Sequence, residues 1–313
     1  MKPVMSVTSA IFSLIRRFWP SRPTLPGKAA TDPNEIIRAL AAVATRRHAD
    51  PIVASLQDRH TPLDFADALT RADTLSYAPR SLLVQSPTAK SLSNAPPETY
   101  RRFEITRDVV LYRDPAFPAD RKKLLFVFGG GALRPMMPIA AFLQLLPAGR
   151  FDMVMLGDRA NLAFEAGIPN YAATLPELVA RLASDTGRSN YERLVTVGMS
   201  GGGLPALRAG ILLEAERSIA FGPRFNWHVG RLLKGTGAIP AFDLLCACTR
   251  RGRTRLFAVC AESNATDVHD IQRLARILPV ETRLIAGTDK HNFVHSLAKV
   301  GRFRDLLLGL LEK

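Results

Sequence analysis

The chain has 313 residues, and 42 Lys and Arg against 28 Asp and Glu give it a formal charge of +14. Hydrophobic residues make up 47% and charged residues 22%, ordinary globular usage that excludes disordered, collagen-like and coiled-coil chains. Arg supplies 33 of the 42 basic residues, and they are dispersed rather than gathered into a stripe, so nucleic acid is not an expected partner. An anionic surface or substrate suits the charge better.

Residues 1–30 open the chain as a basic tail. Lys2 precedes an uncharged run over 3–15, and Arg16, Arg17 and Trp19 follow where a signal peptide would need a small-residue cleavage site. The expectation is a simple tail or an amphipathic anchor touching a membrane surface, on a cytoplasmic protein. The longest uncharged stretch, 135–149, has 15 residues and three prolines. A membrane span needs about 20 apolar residues, so none is predicted.

Residues 31–75 form a small helical region. Asp32-Pro33-Asn34-Glu35 places a capping oxygen, a proline and an acid as a helix start does, with Ile36, Ile37, Leu40, Ala41 and Ala44 at helical spacing. Asp50-Pro51 and Thr61-Pro62-Leu63-Asp64 repeat the signal. Residues 76–99 carry four prolines and five serines with little periodicity, the composition of a linker.

From residue 100 onward short apolar runs alternate with amphipathic stretches, the pattern of a mainly parallel sheet with helices on both faces. Strands are predicted over 100–106 and 109–112 as an opening hairpin, then over 124–128, 151–156, 194–197, 218–221, 256–260 and 282–286. Helices are predicted over 139–146, 176–184, 204–215, 268–278 and 293–311. Residues 223–255 stand apart as an insertion, in which Arg224, Arg231, Lys234, Arg250, Arg251, Arg253 and Arg255 face one acid, Asp243, with Phe225, Trp227 and Phe242 interleaved. Such a basic, aromatic segment would receive an anionic or carbohydrate-bearing substrate or an acidic partner, or it is a solvated loop.

The most informative stretch is Gly198-Met199-Ser200-Gly201-Gly202, which lies between a predicted strand and a helix bearing Leu204, Leu207 and Ile211 on one face. A serine in this turn needs a strained backbone, and the glycines remove Cβ clashes around it. Two other readings stand beside it: a plain glycine turn, and a dinucleotide loop through Gly201, Gly203 and Ala206. With this motif the chain, from about residue 100 to its end, resembles the α/β-hydrolase superfamily.

The resemblance implies an α/β-hydrolase fold, preceded here by the small helical extension, and a serine hydrolase acting on a carboxylic ester or similar acyl bond. The same machinery serves an acyltransferase, and a non-catalytic scaffold on this fold is a further alternative. Ser200 would be the nucleophile, followed in chain order by an acid and a histidine. Asp267 is the first choice of acid, although an Asp before an apolar-periodic helix is also a good N-cap; Asp270, Glu262 and Asp243 compete. His291 precedes the last helix where the resemblance places the base, and His295 lies one turn beyond. Gly129-Gly130-Gly131 end a strand like the family's oxyanion loop, although Phe128 stands where many lipases carry His. Gly130, Gly131 and, after the nucleophile, Gly201 are the expected oxyanion and substrate contacts. No cofactor or metal is implied; the substrate would be a small-molecule or carbohydrate-linked acyl compound. Cys246, Cys248 and Cys260 read as reduced thiols.

Overall fold

The computed structural model describes residues 33–93, 95–224 and 254–312. The basic tail and nearly all of the 223–255 insertion, with Asp243, Cys246 and Cys248, lie outside the described residues. Among the described residues no helix is long and apolar enough to cross a membrane.

Eight strands build one sheet: β1 (Arg101–Thr106), β2 (Val109–Arg113), β3 (Lys123–Phe128), β4 (Phe151–Leu156), β5 (Arg193–Met199), β6 (Arg217–Phe221), β7 (Arg255–Ala261) and β8 (Val280–Ile285). Their spatial order is β1-β2-β4-β3-β5-β6-β7-β8. β2 pairs antiparallel with β1 and β4, and every later pairing is parallel. The predicted strands are all present, their ends moved by at most two residues.

Alternation along the central strands feeds two cores. Leu125 and Val127 join one with helices α6 (Ile139–Leu143), α10 (Phe293–Lys299) and α11 (Arg302–Glu312), while Leu124, Phe126 and Phe128 join the other with α7 (Leu175–Asp185) and α8 (Gly203–Leu212). The edge of the second face is closed by α9 (Ala265–Ala275) through Ile271 and Leu274. Helices therefore cover both faces, as parallel strands require. The single helix predicted over 293–311 is two, because Gly301 at φ +74° breaks it.

The extension contains α1 (Pro33–Ala41), α2 (Arg46–Arg59), α3 (Pro62–Thr70), α4 (Tyr77–Val84) and α5 (Pro87–Leu92). It has its own core, including Ile36, Leu40, Val53, Leu56, Phe65 and Leu83, and α2, α3 and α5 pack on α6. Two expectations are corrected here. Asp50-Pro51 starts no helix, since Pro51 lies inside α2, whose N-cap is Thr45. Residues 76–99 are not simply linker: Ser86 accepts a hydrogen bond from Ala89 N–H and Pro87 takes the first helical position, so the residues counted as breakers begin α5 instead.

A buried polar node ties the amino ends of the central strands. Lys122 is 1% exposed; its Nζ donates to Asp152 Oδ1 (2.9 Å) and to the Asp114 carbonyl (2.7 Å), and Tyr191 O–H donates to Asp152 Oδ2 (2.8 Å). Burial pushes the Asp152 carboxyl above its usual range against the pull of Lys122 and Tyr191. Removing the cation strands a buried carboxylate, so Lys122→Met is expected to cost about 3–5 kcal/mol in urea unfolding. A loss below about 1 kcal/mol would contradict the role given to this node.

Candidate active site

Strand β5 delivers the chain into a single 3-10 turn, Ser200–Gly202, that continues as α8. Ser200 sits at φ +54°, a left-handed backbone that costs a non-glycine residue about 1–3 kcal/mol. Neighbouring glycines make this turn fit. A Cβ on Gly198 would lie 2.2 Å from the Gly202 carbonyl oxygen, and one on Gly202 would lie 2.2 Å from the Phe128 carbonyl oxygen. The helix is held close beneath by Thr196 and Ser218, whose hydroxyls lie 2.8 and 2.9 Å from the Ala206 carbonyl and 2.7 Å from each other, so that one donates to the carbonyl and the other to its hydroxyl partner. Because both substitutions remove the same hydroxyl, Ser200→Gly is expected to be about 1 kcal/mol more stable than Ser200→Ala in chemical denaturation. Equal stabilities would mean that the turn is unstrained.

The three residues singled out for nucleophile, base and acid meet. Ser200 Oγ is 2.8 Å from His291 Nε2, and His291 Nδ1 is 2.8 and 2.9 Å from the two oxygens of Asp267. An ionised carboxylate only accepts, so the proton sits on Nδ1 and Nε2 is left to accept from the serine hydroxyl. Asp267 is fully buried, whereas the His291 side chain is 29% exposed. The histidine loop is pinned by Asn264, whose Nδ2 donates to the Asp289 carbonyl (2.9 Å).

Asp267 does not cap its helix. Asn264 is the N-cap of α9, accepting the Asp267 N–H at 3.0 Å, which leaves the Asp267 carboxylate in the first turn and aimed at the histidine. Of its competitors, Asp270 points to Arg224 (3.7 Å) and Glu262 is exposed. His295 lies in the first turn of α10, away from this chain of bonds, and burial, Lys299 and Arg134 hold its imidazole below the usual histidine range.

Arg224, expected either to face substrate or an acidic partner or to belong to a solvated loop, turns instead toward the site residues. Its Nη1 is 3.4 Å from Asp267 Oδ1 and its backbone N–H donates to the Ser200 carbonyl (3.2 Å). It therefore compensates a buried carboxylate and braces the serine turn. Neither contact has a local sequence signature.

The glycine loop after β3 comes against Ser200. A Cβ on Gly130 would lie 2.8 Å from the Met199 carbonyl oxygen and 3.2 Å from Ser200 Cβ, so a glycine is needed for the close approach. The N–H of Gly130, expected to face substrate, instead donates to the Arg134 carbonyl (3.3 Å), because the loop folds into a tight turn that Leu133 N–H closes onto the Gly130 carbonyl (2.8 Å). Gly131 is exposed on that turn, and Gly201, directly after Ser200, has open space where a Cβ would stand. Phe128 is fully buried edge-on against Phe164 and takes no part in the site. Cys260 is buried behind Asp267, and burial together with that carboxylate pushes its thiol up to about 12.

No protein-family model and no curated protein matches the sequence. Solved structures do match. A dienelactone hydrolase from Anabaena variabilis is 11% identical with a TM-score of 0.43, the alignment covering 67% of this chain and 99% of that one. Carboxylesterase CesB from Bacillus subtilis is 14% identical at 0.47, covering 80% and 98%, and the capsule O-acetyltransferase of Neisseria meningitidis serogroup A is 10% identical at 0.47, covering 68% and 94%. None of these three reaches a TM-score of 0.5, so the weight rests on topology. A sheet in this strand order, whose fifth strand runs into a strained serine turn and a helix, is the α/β-hydrolase fold.

Proposed function

We propose that the chain is a serine hydrolase that cleaves a carboxylic ester, of a small molecule or of a carbohydrate, through an acyl-enzyme intermediate. The observation that carries this reading is the unbroken path from Ser200 Oγ through His291 to the buried Asp267. Ser200 attacks the ester carbonyl carbon while its proton passes to His291 Nε2. The tetrahedral intermediate collapses, the C–O bond to the alcohol breaks, and the alcohol leaves with the proton from Nε2. Water then attacks the acyl-serine, returns a proton to Nε2, and the acid departs as Ser200 recovers that proton. Asp267 stays ionised throughout, fixing the tautomer and stabilising the imidazolium.

The charge on the intermediate needs main-chain donors, and we assign them to Gly201 N–H and Gly131 N–H. Gly130 contributes by the absence of a side chain, which leaves room for the acyl group beside Ser200.

The test is chemical. The full chain is treated with a fluorophosphonate and digested, and the adduct is located by peptide mass spectrometry. A stoichiometric adduct on Ser200, accompanied by hydrolysis of p-nitrophenyl acetate to free acetate, is the expected result. No adduct, or an adduct elsewhere, overturns the assignment.

A further inference from the structure

The glycine turn facing Ser200 is not held by the sheet alone. At one end Gly129 N–H donates to the Leu156 carbonyl (2.9 Å), which anchors the start of the turn to β4. At the other end stands Arg134, whose carbonyl closes the turn onto Gly130 and whose side chain leaves the hydrolase domain. Arg134 Nη1 donates to Asp58 Oδ1 at 2.6 Å, and Asp58 belongs to α2 of the helical extension. The two side chains are 25% and 17% exposed, so the pair is substantially screened from water and is charge-assisted on both sides.

Two further attachments act on the same loop. It runs on into α6, on which α2, α3 and α5 pack. Just beyond α6, Gln144 donates to the Pro96 carbonyl (2.8 Å) and accepts from Glu98 N–H (3.0 Å), and the Glu98 carboxylate accepts from Ala148 N–H (2.8 Å). The chain from Gly130 to Ala148 is thus fastened at Arg134, along α6 and at Gln144 to residues that precede β1. His295 on α10 lies near enough to feel Arg134, which helps hold its imidazole below the usual range, and Asp58 is the carboxylate that pairs with this guanidinium.

We propose that the helical extension is part of the catalytic apparatus, with Asp58 a positioning residue that acts through Arg134 to hold the Gly130–Arg134 turn against Ser200. The proposal rests on the serine-hydrolase reading, and it adds that this site is incomplete without residues far upstream of the hydrolase domain. A turn whose end is released drifts by a fraction of an ångström or more, and misplacement on that scale costs about 10- to 100-fold in turnover without preventing substrate binding.

The test uses the full chain and its Asp58→Asn, Arg134→Gln and doubly substituted variants, with p-nitrophenyl acetate as substrate and folding checked by circular dichroism. Each single variant is expected to lower kcat about 10- to 100-fold with KM within about twofold. The double variant should be no slower than the slower single one, since both break one contact. Hydrogen–deuterium exchange in peptides covering 129–134 should accelerate in each, a readout that needs no substrate. Wild-type kcat and unchanged exchange in Asp58→Asn, in a chain that is labelled at Ser200, overturn the proposal alone; additive losses in the double variant also overturn it. A wild-type chain that is not labelled at Ser200 overturns the reading beneath it as well. Should Asp58→Asn fail to fold, Arg134→Gln carries the same criteria.

Discussion

Ser200→Ala is expected to lower kcat for p-nitrophenyl acetate by about a millionfold in a protein that still folds. In the proposed mechanism nucleophile and base act as one unit, so removing the hydroxyl discards the whole covalent route. What survives, about 10³- to 10⁴-fold over water, comes from the oxyanion donors and from binding alone. For the same reason His291→Ala added to Ser200→Ala should change the residual rate little. Steady-state hydrolysis checks this, with fluorophosphonate titration to exclude contaminating parent enzyme. A loss below about a hundredfold would mean that Ser200 is not the nucleophile.

Asp267→Asn comes next, with kcat expected to fall about 10⁴-fold, close to 5.5 kcal/mol of transition-state stabilisation. The carboxylate accepts from His291 Nδ1 with both oxygens, at 2.8 and 2.9 Å, and is fully buried, so water does not stand in for it. An amide that turns its N–H₂ to the ring selects the tautomer protonated at Nε2, which cannot accept the Ser200 proton. Asp270→Asn is the control: it loses a 3.7 Å ion pair to Arg224 but touches neither His291 nor Ser200, and should stay within a few-fold of the parent. If Asp270→Asn proves the more damaging of the two, the acid has been misidentified.

The strands were legible because most are short apolar-rich runs, and in the central ones alternate residues meet two different cores, a period carried by residue order. The serine turn was legible because sterics leave few residues permitted around it: the clashes that a Cβ would meet at Gly198 and Gly202 are what the glycines of the motif anticipate. Reading Ser and Pro as breakers misled at residues 76–99, since Ser86-Pro87 begins a helix just as Thr61-Pro62 does. The rule was sound for Thr61, whose capping box with Asp64 has both halves present, and failed where count replaced position.

Local sequence could not separate Asp267 from a cap until the cap was found three residues earlier, on Asn264. The bonds of Arg224 to Asp267 and of Arg134 to Asp58 join residues 43 and 76 positions apart, and nothing near either partner announces the other. Long-range ion pairs are set by how helices dock on a sheet. They belong to the tertiary structure and have no period.

The Lys122 node and the Ser200 turn sit at opposite ends of the same central strands, β3 to β5. Six residues of strand separate them by roughly 20 Å, well past the distance at which substitutions usually stop influencing one another. Durability and the proposed chemistry therefore lie at different poles of one sheet. A lineage, or an engineer, can harden the amino pole to offset destabilising changes around the serine mouth, so that new substrate preferences are explored at the carboxyl pole without the chain losing its fold.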